Sequence, residues 1–208
     1  MCLMDDRLEQ ALGFLKSTDW AAAELHPLAG DASARRYFRA TRRDGGQSVL
    51  MDAPPAGQDI KPFLNIAGYL RDNGLSAPQI FAHDIDAGFI LMEDFGDDLF
   101  ANVTAQSPKL ERQLYEAAVD VLITLDRLKP PVFVSEFDTK TMVAQTAMVF
   151  DWYGSESAAN LRILAGLETE LGKFTQQSLL LRDYHAENLI WLPDRAGVAR
   201  AGLLDFQD

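Results

Sequence analysis

The first half of the chain alternates short apolar runs with turn residues, a pattern that is typical of β-strands. It predicts five strands, with one helix after the third strand and another before the first. Apolar residues at helical spacing from Leu8 to Leu15 indicate the N-terminal helix, with Asp5 or Asp6 as its cap. The predicted strands cover residues 24–28, 36–41, 48–51, 79–83 and 88–93, and the internal helix covers residues 59–73.

Beyond Gly96 the apolar positions recur at the spacing of helices instead. Three helices are expected there, and the first is entered through Ser107 and Pro108, a cap and a first-turn proline. The other two helices cover residues 138–153 and 156–173, and short strands return at 178–181, 189–192 and 202–206. The pattern predicts an α+β protein with a small β-rich lobe over residues 1–95 and a mainly helical lobe over residues 96–208.

Composition and charge exclude several classes of protein. The 208 residues include 19 Lys and Arg against 31 Asp and Glu, a formal net charge of −12, whereas a nucleic-acid-binding protein presents a basic face. Cys2 is the only cysteine, so neither a disulfide framework nor a structural zinc site is expected. No apolar run approaches the length of about 18 residues that a membrane span needs, and the N-terminus lacks the features of a signal peptide. We expect a cytoplasmic protein with no nucleic-acid or membrane partner, and the sequence leaves its oligomeric state open.

The residues that carry chemistry lie among the last predicted strands. Asp183 and Asn188 stand five positions apart between two apolar runs, which places them on a loop held by strands, and Asp205 follows the next apolar run. This order is used for phosphoryl transfer: the first Asp accepts a hydroxyl proton, while the Asn and the second Asp hold Mg²⁺ against nucleotide phosphates. The structural alternatives are that Asp183 and Asn188 merely stabilise a turn and that Asp205 is an acid at a strand end that accepts hydrogen bonds from backbone N–H groups.

At these positions the sequence resembles the aminoglycoside phosphotransferase and choline kinase family, whose fold is protein-kinase-like. The resemblance rests on the motif Asp183-x-His185-x-x-Asn188 together with the motif Leu204-Asp205-Phe206. The segments at residues 30–39, 51–55, 182–185 and 204–208 are most similar to one bacterial branch of the family. Its members are kinases that act on the anomeric hydroxyl of N-acetylmuramic acid or N-acetylglucosamine.

The resemblance implies a role for each matching residue. Asp183 would be the catalytic base, Asn188 and Asp205 would ligate Mg²⁺, and Arg182 and His185 would support the loop. The segment between the first two strands would cover the phosphates of ATP, and the connector between the lobes would be the hinge that binds adenine through its backbone. The nucleotide-binding residues implied in this way are Gly30, Asp31, Ser33, Ala34, Arg35, Arg36, Glu93 and Phe95.

Two positions depart from the family pattern. Leu181 stands where relatives have a histidine two residues before the catalytic aspartate. The third strand ends at Asp52 and offers no Lys or Arg to meet the phosphates. We hypothesise that Arg35 or Arg36 reaches the phosphates instead and that Asp52 faces a cation such as Lys61.

The implied activity is transfer of the γ-phosphoryl group of ATP to a hydroxyl group of a small molecule, with an amino sugar as the expected acceptor. An aminoglycoside-modifying kinase is one alternative, since polycationic substrates suit an acidic surface. A nucleotide-binding pseudokinase or regulatory module is another, favoured by the missing strand cation and by Leu181. Relatives continue past the strand of Asp205 with helices that complete the second lobe, so we expect that lobe to be incomplete at Asp208 and the sequence to belong to a longer chain.

Overall fold

The computed structural model of the chain describes residues 3–28, 35–56, 58–154, 158–174 and 177–206. Its helices are α1 (Leu3–Leu15), α2 (Lys61–Asp72), α3 (Phe100–Gln106), α4 (Glu111–Arg127), α5 (Thr139–Tyr153) and α6 (Ala158–Leu171). Its strands are β1 (Glu24–Pro27), β2 (Arg36–Thr41), β3 (Gln47–Asp52), β4 (Ile80–Asp84), β5 (Phe89–Glu93), β6 (Leu189–Trp191) and β7 (Ala201–Leu203). Short 3₁₀ turns cover Pro108–Leu110 and Gly197–Arg200.

The five strands predicted in the N-terminal half form one antiparallel sheet in the order β1-β2-β3-β5-β4. Its register places Arg36 opposite Asp52, and Asp52 opposite Phe89, at one end. Ser48 lies opposite Glu93 at the other end. The end where β2 begins is therefore adjacent to the predicted nucleotide loop, whereas β5 leads into the predicted hinge from the opposite end.

The helix α1 covers one face of this sheet. Side chains of a strand point alternately to its two faces, so Phe38, Leu50 and Asp52 share one face while Met51 points to the other. The face of Phe38, Leu50 and Asp52 is the one that packs against α1 and against the segment after α1. The buried cluster there consists of Ala11, Leu15, Trp20, Ala40, Leu50, Phe89 and Leu91, with Phe38 partly buried against it.

Two helix predictions need correction. The helix α1 begins at Leu3, so Asp5 and Asp6 lie inside it rather than capping it. The sequence also gives no indication of α3, which is short and begins after Leu99 without any side-chain cap. The predicted α2 is confirmed, and Pro62 lies in its first turn, where a missing N–H does no harm.

Two strand predictions also need correction. No strand forms at residues 178–181, although Leu179 and Leu181 are buried. Burial of alternate side chains in a loop produces the same pattern as a strand, and within the described residues this segment has no ladder partner. The last strand ends at Leu203 rather than near Phe206, because Asp205 has a φ of +49°, which an extended strand cannot accommodate.

The chain divides into two compact units, Met1–Thr124 together with Leu180–Asp208, and Leu125–Leu179. The first unit contains the sheet and the β6–β7 hairpin, and the second consists mainly of α5 and α6. The described residues of α5 include no buried one, and Trp152 at its end is 80% exposed. Among the described helices, none combines the length and apolar character that crossing a bilayer requires. The predicted lobe boundary at residue 95 stays a prediction.

Two glycines provide a matched test of this packing. Gly88 has a φ of +75°, and an added Cβ would collide with the carbonyl oxygen of Ala53, whereas nothing lies within 4 Å of the corresponding position at Gly68 in α2. We expect Gly88→Ala to lower the free energy of unfolding by roughly 1–3 kcal/mol or more. Gly68→Ala should raise it by about 1 kcal/mol, because alanine is the better helix former. Urea unfolding measures both, and a Gly88→Ala variant as stable as the wild type would contradict the described turn.

Candidate active site

The loop before β6 brings three of the predicted site residues into direct contact. Asn188 donates hydrogen bonds from Nδ2 to the carbonyl oxygen of Asp183 at 3.1 Å and to its carboxylate Oδ2 at 3.2 Å. His185 Nε2 lies 3.1 Å from Asp183 Oδ1. The backbone N–H of Glu187 donates to His185 Nδ1 at 3.2 Å, which places the proton of a neutral imidazole on Nε2, facing Asp183. Asp183 is therefore an exposed carboxylate whose orientation is set from both of its oxygens.

Backbone strain is concentrated at this loop and at the strand that follows it. Arg182 has a φ of +57° and Asp205 a φ of +49°, and these are the two non-glycine residues of the described chain in the left-handed region. Such conformations cost of order 1–3 kcal/mol each and cluster at functional sites. The strain therefore coincides with the residue before the candidate base and with a candidate metal ligand.

The β6–β7 hairpin brings Asn188 and Asp205 together at its open end. Leu189 pairs with Leu203, and the N–H of Leu204 donates to the carbonyl oxygen of Asn188 at 3.0 Å. The Asn188 side chain turns Nδ2 toward Asp183, so its ligand atom would be Oδ1. One amide and one carboxylate oxygen are donors that suit Mg²⁺, which takes its remaining ligands from phosphates and water. A dedicated cluster of three or more His, Cys, Asp or Glu side chains is absent from the part of the chain that the structure describes.

The Tyr184 side chain fastens the same loop to α4. Its hydroxyl donates to the carbonyl oxygen of Ala118 at 2.8 Å. Burial raises the pKa of the Tyr184 phenol above its usual range, because the phenolate would lose its hydration there. The loop is thus held by a neutral phenol on one side and by β6 on the other.

The predicted hinge contacts the hairpin through Arg195, a residue that the sequence did not single out. Glu93 accepts a hydrogen bond from Arg195, in the β6–β7 turn, at 2.5 Å. Its N–H donates to the carbonyl oxygen of Gln79 at 2.8 Å, so its carbonyl oxygen, and not its N–H, is what it could offer to adenine. The guanidinium of Arg195 also lies over the ring of Phe95, 5.0 Å from its centroid.

The segment between α2 and β4 is the point at which the hairpin docks. Arg195 donates to the hydroxyl of Ser76 at 2.7 Å, and this hydroxyl donates to the carbonyl oxygen of Ala199 at 2.7 Å. The N–H of Leu203 donates to the carbonyl oxygen of Ser76, also at 2.7 Å. Ser76 is a buried residue whose hydroxyl and carbonyl groups both bond to the hairpin. Nothing in the sequence could reveal this contact, because its partners lie more than a hundred positions apart.

Aromatic stacking links α2 to the residue after Asp205. The rings of Phe63 and Phe206 are stacked with centroids 5.0 Å apart. Both residues are buried. The candidate metal-binding segment is thereby packed against α2.

The hypothesis that Asp52 faces a cation is confirmed, but Lys61 as that cation is wrong. Asp52 is 1% exposed and forms ion pairs with Arg7 of α1 and Arg36 of β2, whereas Lys61 is exposed. Arg35 instead donates from Nε to Gln58 Oε1 at 3.0 Å. The other predicted phosphate-loop residues lie outside the described part of the chain; they are Gly30, Asp31, Ser33 and Ala34.

A second arginine ties the sheet to the segment after β5. Arg39 of β2 donates to Asp94 at 2.6 Å and to Asp97 at 2.8 Å. These hydrogen bonds raise the pKa of Arg39 and lower the pKa of Asp97 from their ordinary values. The carboxylates of this connector are therefore paired with an arginine rather than grouped as a metal cluster.

The chain has clear relatives among known proteins. The profile of the phosphotransferase enzyme family matches residues 24–208. An N-acetylmuramate/N-acetylglucosamine kinase of Caulobacter vibrioides is 32% identical over 100% of this chain and 69% of its own length. A kinase of the same name from Pseudomonas aeruginosa is 32% identical over 89% of this chain and 55% of its own length. The chain thus spans between just over half and about two thirds of these relatives, and the predicted family resemblance is confirmed.

Solved structures show the same fold. Choline kinase LicA from Streptococcus pneumoniae superposes with a TM-score of 0.63 at 15% identity, covering 99% of this chain and 69% of that protein. APH(2″)-IIa, in a ternary complex with streptomycin and ATP, gives a TM-score of 0.63 at 16% identity, covering 100% of this chain and 71% of that protein. The predicted α+β, protein-kinase-like fold class is confirmed.

The role of Tyr184 in holding the loop can be tested by its replacement with phenylalanine. The pKa of Tyr184 in the folded protein lies above its unfolded value of about 10. The neutral phenol therefore stabilises the fold below about pH 10. This contribution is lost as the pH rises through the folded pKa. We expect Tyr184→Phe to lower the free energy of unfolding by about 1 kcal/mol at pH 7. The difference from the wild type should shrink above about pH 10. Urea unfolding at pH 7 and above about pH 10 measures the difference in the free energy of unfolding. The control is Tyr115→Phe, at an exposed position. A difference that is independent of pH would contradict the role of the buried, neutral Tyr184 phenol.

Proposed function

Since the chain belongs to the phosphotransferase enzyme family, we propose that it acts as a kinase that moves the γ-phosphoryl group of ATP to a hydroxyl group of an amino sugar. The observation that carries this proposal is the contact of His185 and Asn188 with the Asp183 carboxylate, together with the hairpin that brings Asp205 beside Asn188. The acceptors proposed are N-acetylmuramate and N-acetylglucosamine, which give the relatives their name.

Asp183 is the proposed general base. Its carboxylate is exposed, and His185 and Asn188 fix its orientation. A group that receives a proton from a bound hydroxyl needs both properties. In the transfer, a bond forms between the acceptor oxygen and the γ-phosphorus, while the bond from that phosphorus to the β–γ bridging oxygen breaks. The hydroxyl proton passes to Asp183 and ADP leaves. Positioning of the two substrates supplies most of the rate enhancement in such reactions.

Asn188 and Asp205 are the proposed ligands of Mg²⁺. When bound, the metal ion would neutralise charge on the nucleotide phosphates. The protein contributes the placement of the two ligands, through the Leu204 hydrogen bond to Asn188 and the packing of Phe206 on α2. The hinge contributes the Glu93 carbonyl oxygen and the backbone of Phe95 to adenine.

The proposal predicts a specific phenotype for Asp183→Asn. The amide keeps the size of the side chain but cannot accept the hydroxyl proton, so turnover of ATP with N-acetylmuramate should fall by about 10²- to 10⁴-fold. The affinity for magnesium-ATP should remain close to that of the wild type. Coupled detection of ADP measures turnover, and calorimetry measures binding. Asp194→Asn, an exposed aspartate in the β6–β7 turn, is the matched control and should be as active as the wild type.

The same assay separates the alternatives. Substantial residual turnover in Asp183→Asn would rule out its assignment as the base. Turnover of the wild type with aminoglycosides but not with amino sugars would identify an aminoglycoside-modifying kinase. Binding of magnesium-ATP without turnover on either class or on choline would favour a pseudokinase.

A further inference from the structure

We infer that Arg35, and not Arg36, supplies the cation that binds the nucleotide phosphates, while Arg36 together with Arg7 and Asp52 forms a structural anchor on the face of the sheet that α1 covers. This inference rests on the proposed function and assigns a ligand within the same site. The three anchor residues are called the α1 anchor below.

The α1 anchor occupies the face of the sheet that α1 covers. Arg36 and Asp52 are opposite each other in the β2–β3 ladder, on the face that also carries Phe38 and Leu50. Arg7 reaches them from α1, and its guanidinium lies over the ring of Phe89, 4.4 Å from its centroid.

Both oxygens of the Asp52 carboxylate are occupied by these arginines. Arg7 donates from Nε to Oδ1 at 3.2 Å, and Arg36 donates from Nε to Oδ2 at 3.1 Å; Nη2 of each also bonds to the same oxygen. Arg7 donates further to the carbonyl oxygen of Ala87 at 3.0 Å. Moving Arg36 to a phosphate would remove one partner from a carboxylate that is 1% exposed, and loss of a partner from a buried ion pair is strongly unfavourable. Arg36 is therefore committed to the anchor.

Arg35 has a different hydrogen-bond partner. It lies immediately before β2, and its guanidinium donates to Gln58, which stands three residues before α2. Helix α2 in turn carries Phe63, whose ring stacks on that of Phe206, the residue after Asp205. Arg35 therefore bonds to the segment that leads into α2, the helix on which Phe206 packs, whereas Arg36 shares Asp52 with Arg7 of α1.

The chemistry of Arg35 suits the role. A guanidinium presents a planar set of N–H donors that matches phosphate oxygens, and it remains charged at any pH at which the protein is folded. Arg35 is also the last residue of the predicted nucleotide loop and immediately precedes β2, whose first residue lies opposite Asp52, the last residue of β3. The cation absent from the third strand is therefore replaced by the residue immediately before the second.

The test compares single variants of the full-length protein, with ATP and adenosine as the two probes in calorimetric titrations. Arg35→Ala should weaken ATP binding by roughly tenfold to hundredfold, since a hydrogen-bonded charge is lost from the phosphates. Adenosine binding and the midpoint of thermal unfolding should not change. Arg35→Lys should recover part of the ATP affinity, because it retains the charge but not the planar donor set.

Arg36→Ala should show the reverse behaviour. Its midpoint of thermal unfolding should fall, while the ratio of its affinities for ATP and adenosine should stay within about threefold of the wild type. Arg43→Ala removes the same charge from an exposed position at the other end of β2 and should change neither quantity. If Arg36→Ala does not fold, the comparison of Arg35→Ala with Arg35→Lys decides the question alone.

Two results would overturn the inference. One is an ATP affinity that is unchanged in Arg35→Ala, and the other is a selective loss of ATP affinity in a folded Arg36→Ala variant. Both differ from failure of the proposed function, in which the wild-type protein would turn over no ATP with any acceptor, whether or not it binds ATP.

Discussion

The docking of the β6–β7 hairpin on Ser76 is the interaction on which the candidate site depends. The hydroxyl and carbonyl groups of this buried residue bind the hairpin at two points, and Arg195 extends the contact to Glu93 at the hinge. These bonds fix the hairpin, and with it the segment of Asp205 that follows β7, relative to the sheet. An unsatisfied buried polar group costs about 1–3 kcal/mol. Any other position of the hairpin would leave the polar groups of Ser76 unsatisfied, so these bonds favour this position over others.

The electrostatics of the site are local, and the formal net charge of −12 gives little guidance to them. Asp52 is enclosed by two arginines, so the α1 anchor carries one surplus positive charge at the end of the sheet where β2 begins. Arg39, at the middle of β2, has the opposite balance, because it is paired with two aspartates. The three arginines Arg7, Arg36 and Arg39 thus each bind specific acids.

Short-range features were predictable from the sequence, and long-range partners were not. The motif from Asp183 to Asn188 is contained in one loop, so its spacing alone indicated the contacts, and the five strands followed from apolar runs and turn residues. Asp52 at the end of an apolar strand clearly needed a cation, but the choice of Arg7 over Lys61 depends on how α1 packs, which periodicity does not encode. The strand expected at residues 178–181 failed for a related reason, since alternating burial occurs in loops as well as in ladders.

Transfer of a phosphoryl group to an amino sugar at this site can be followed by ³¹P nuclear magnetic resonance. The full-length protein would be incubated with magnesium-ATP and N-acetylmuramate, and the phosphorus signals followed over time. We expect the γ-phosphate signal to decline in step with the appearance of ADP and of a sugar phosphate ester coupled to the anomeric proton. Loss of the γ-phosphate as inorganic phosphate alone, or persistence of ATP despite its binding, would contradict it.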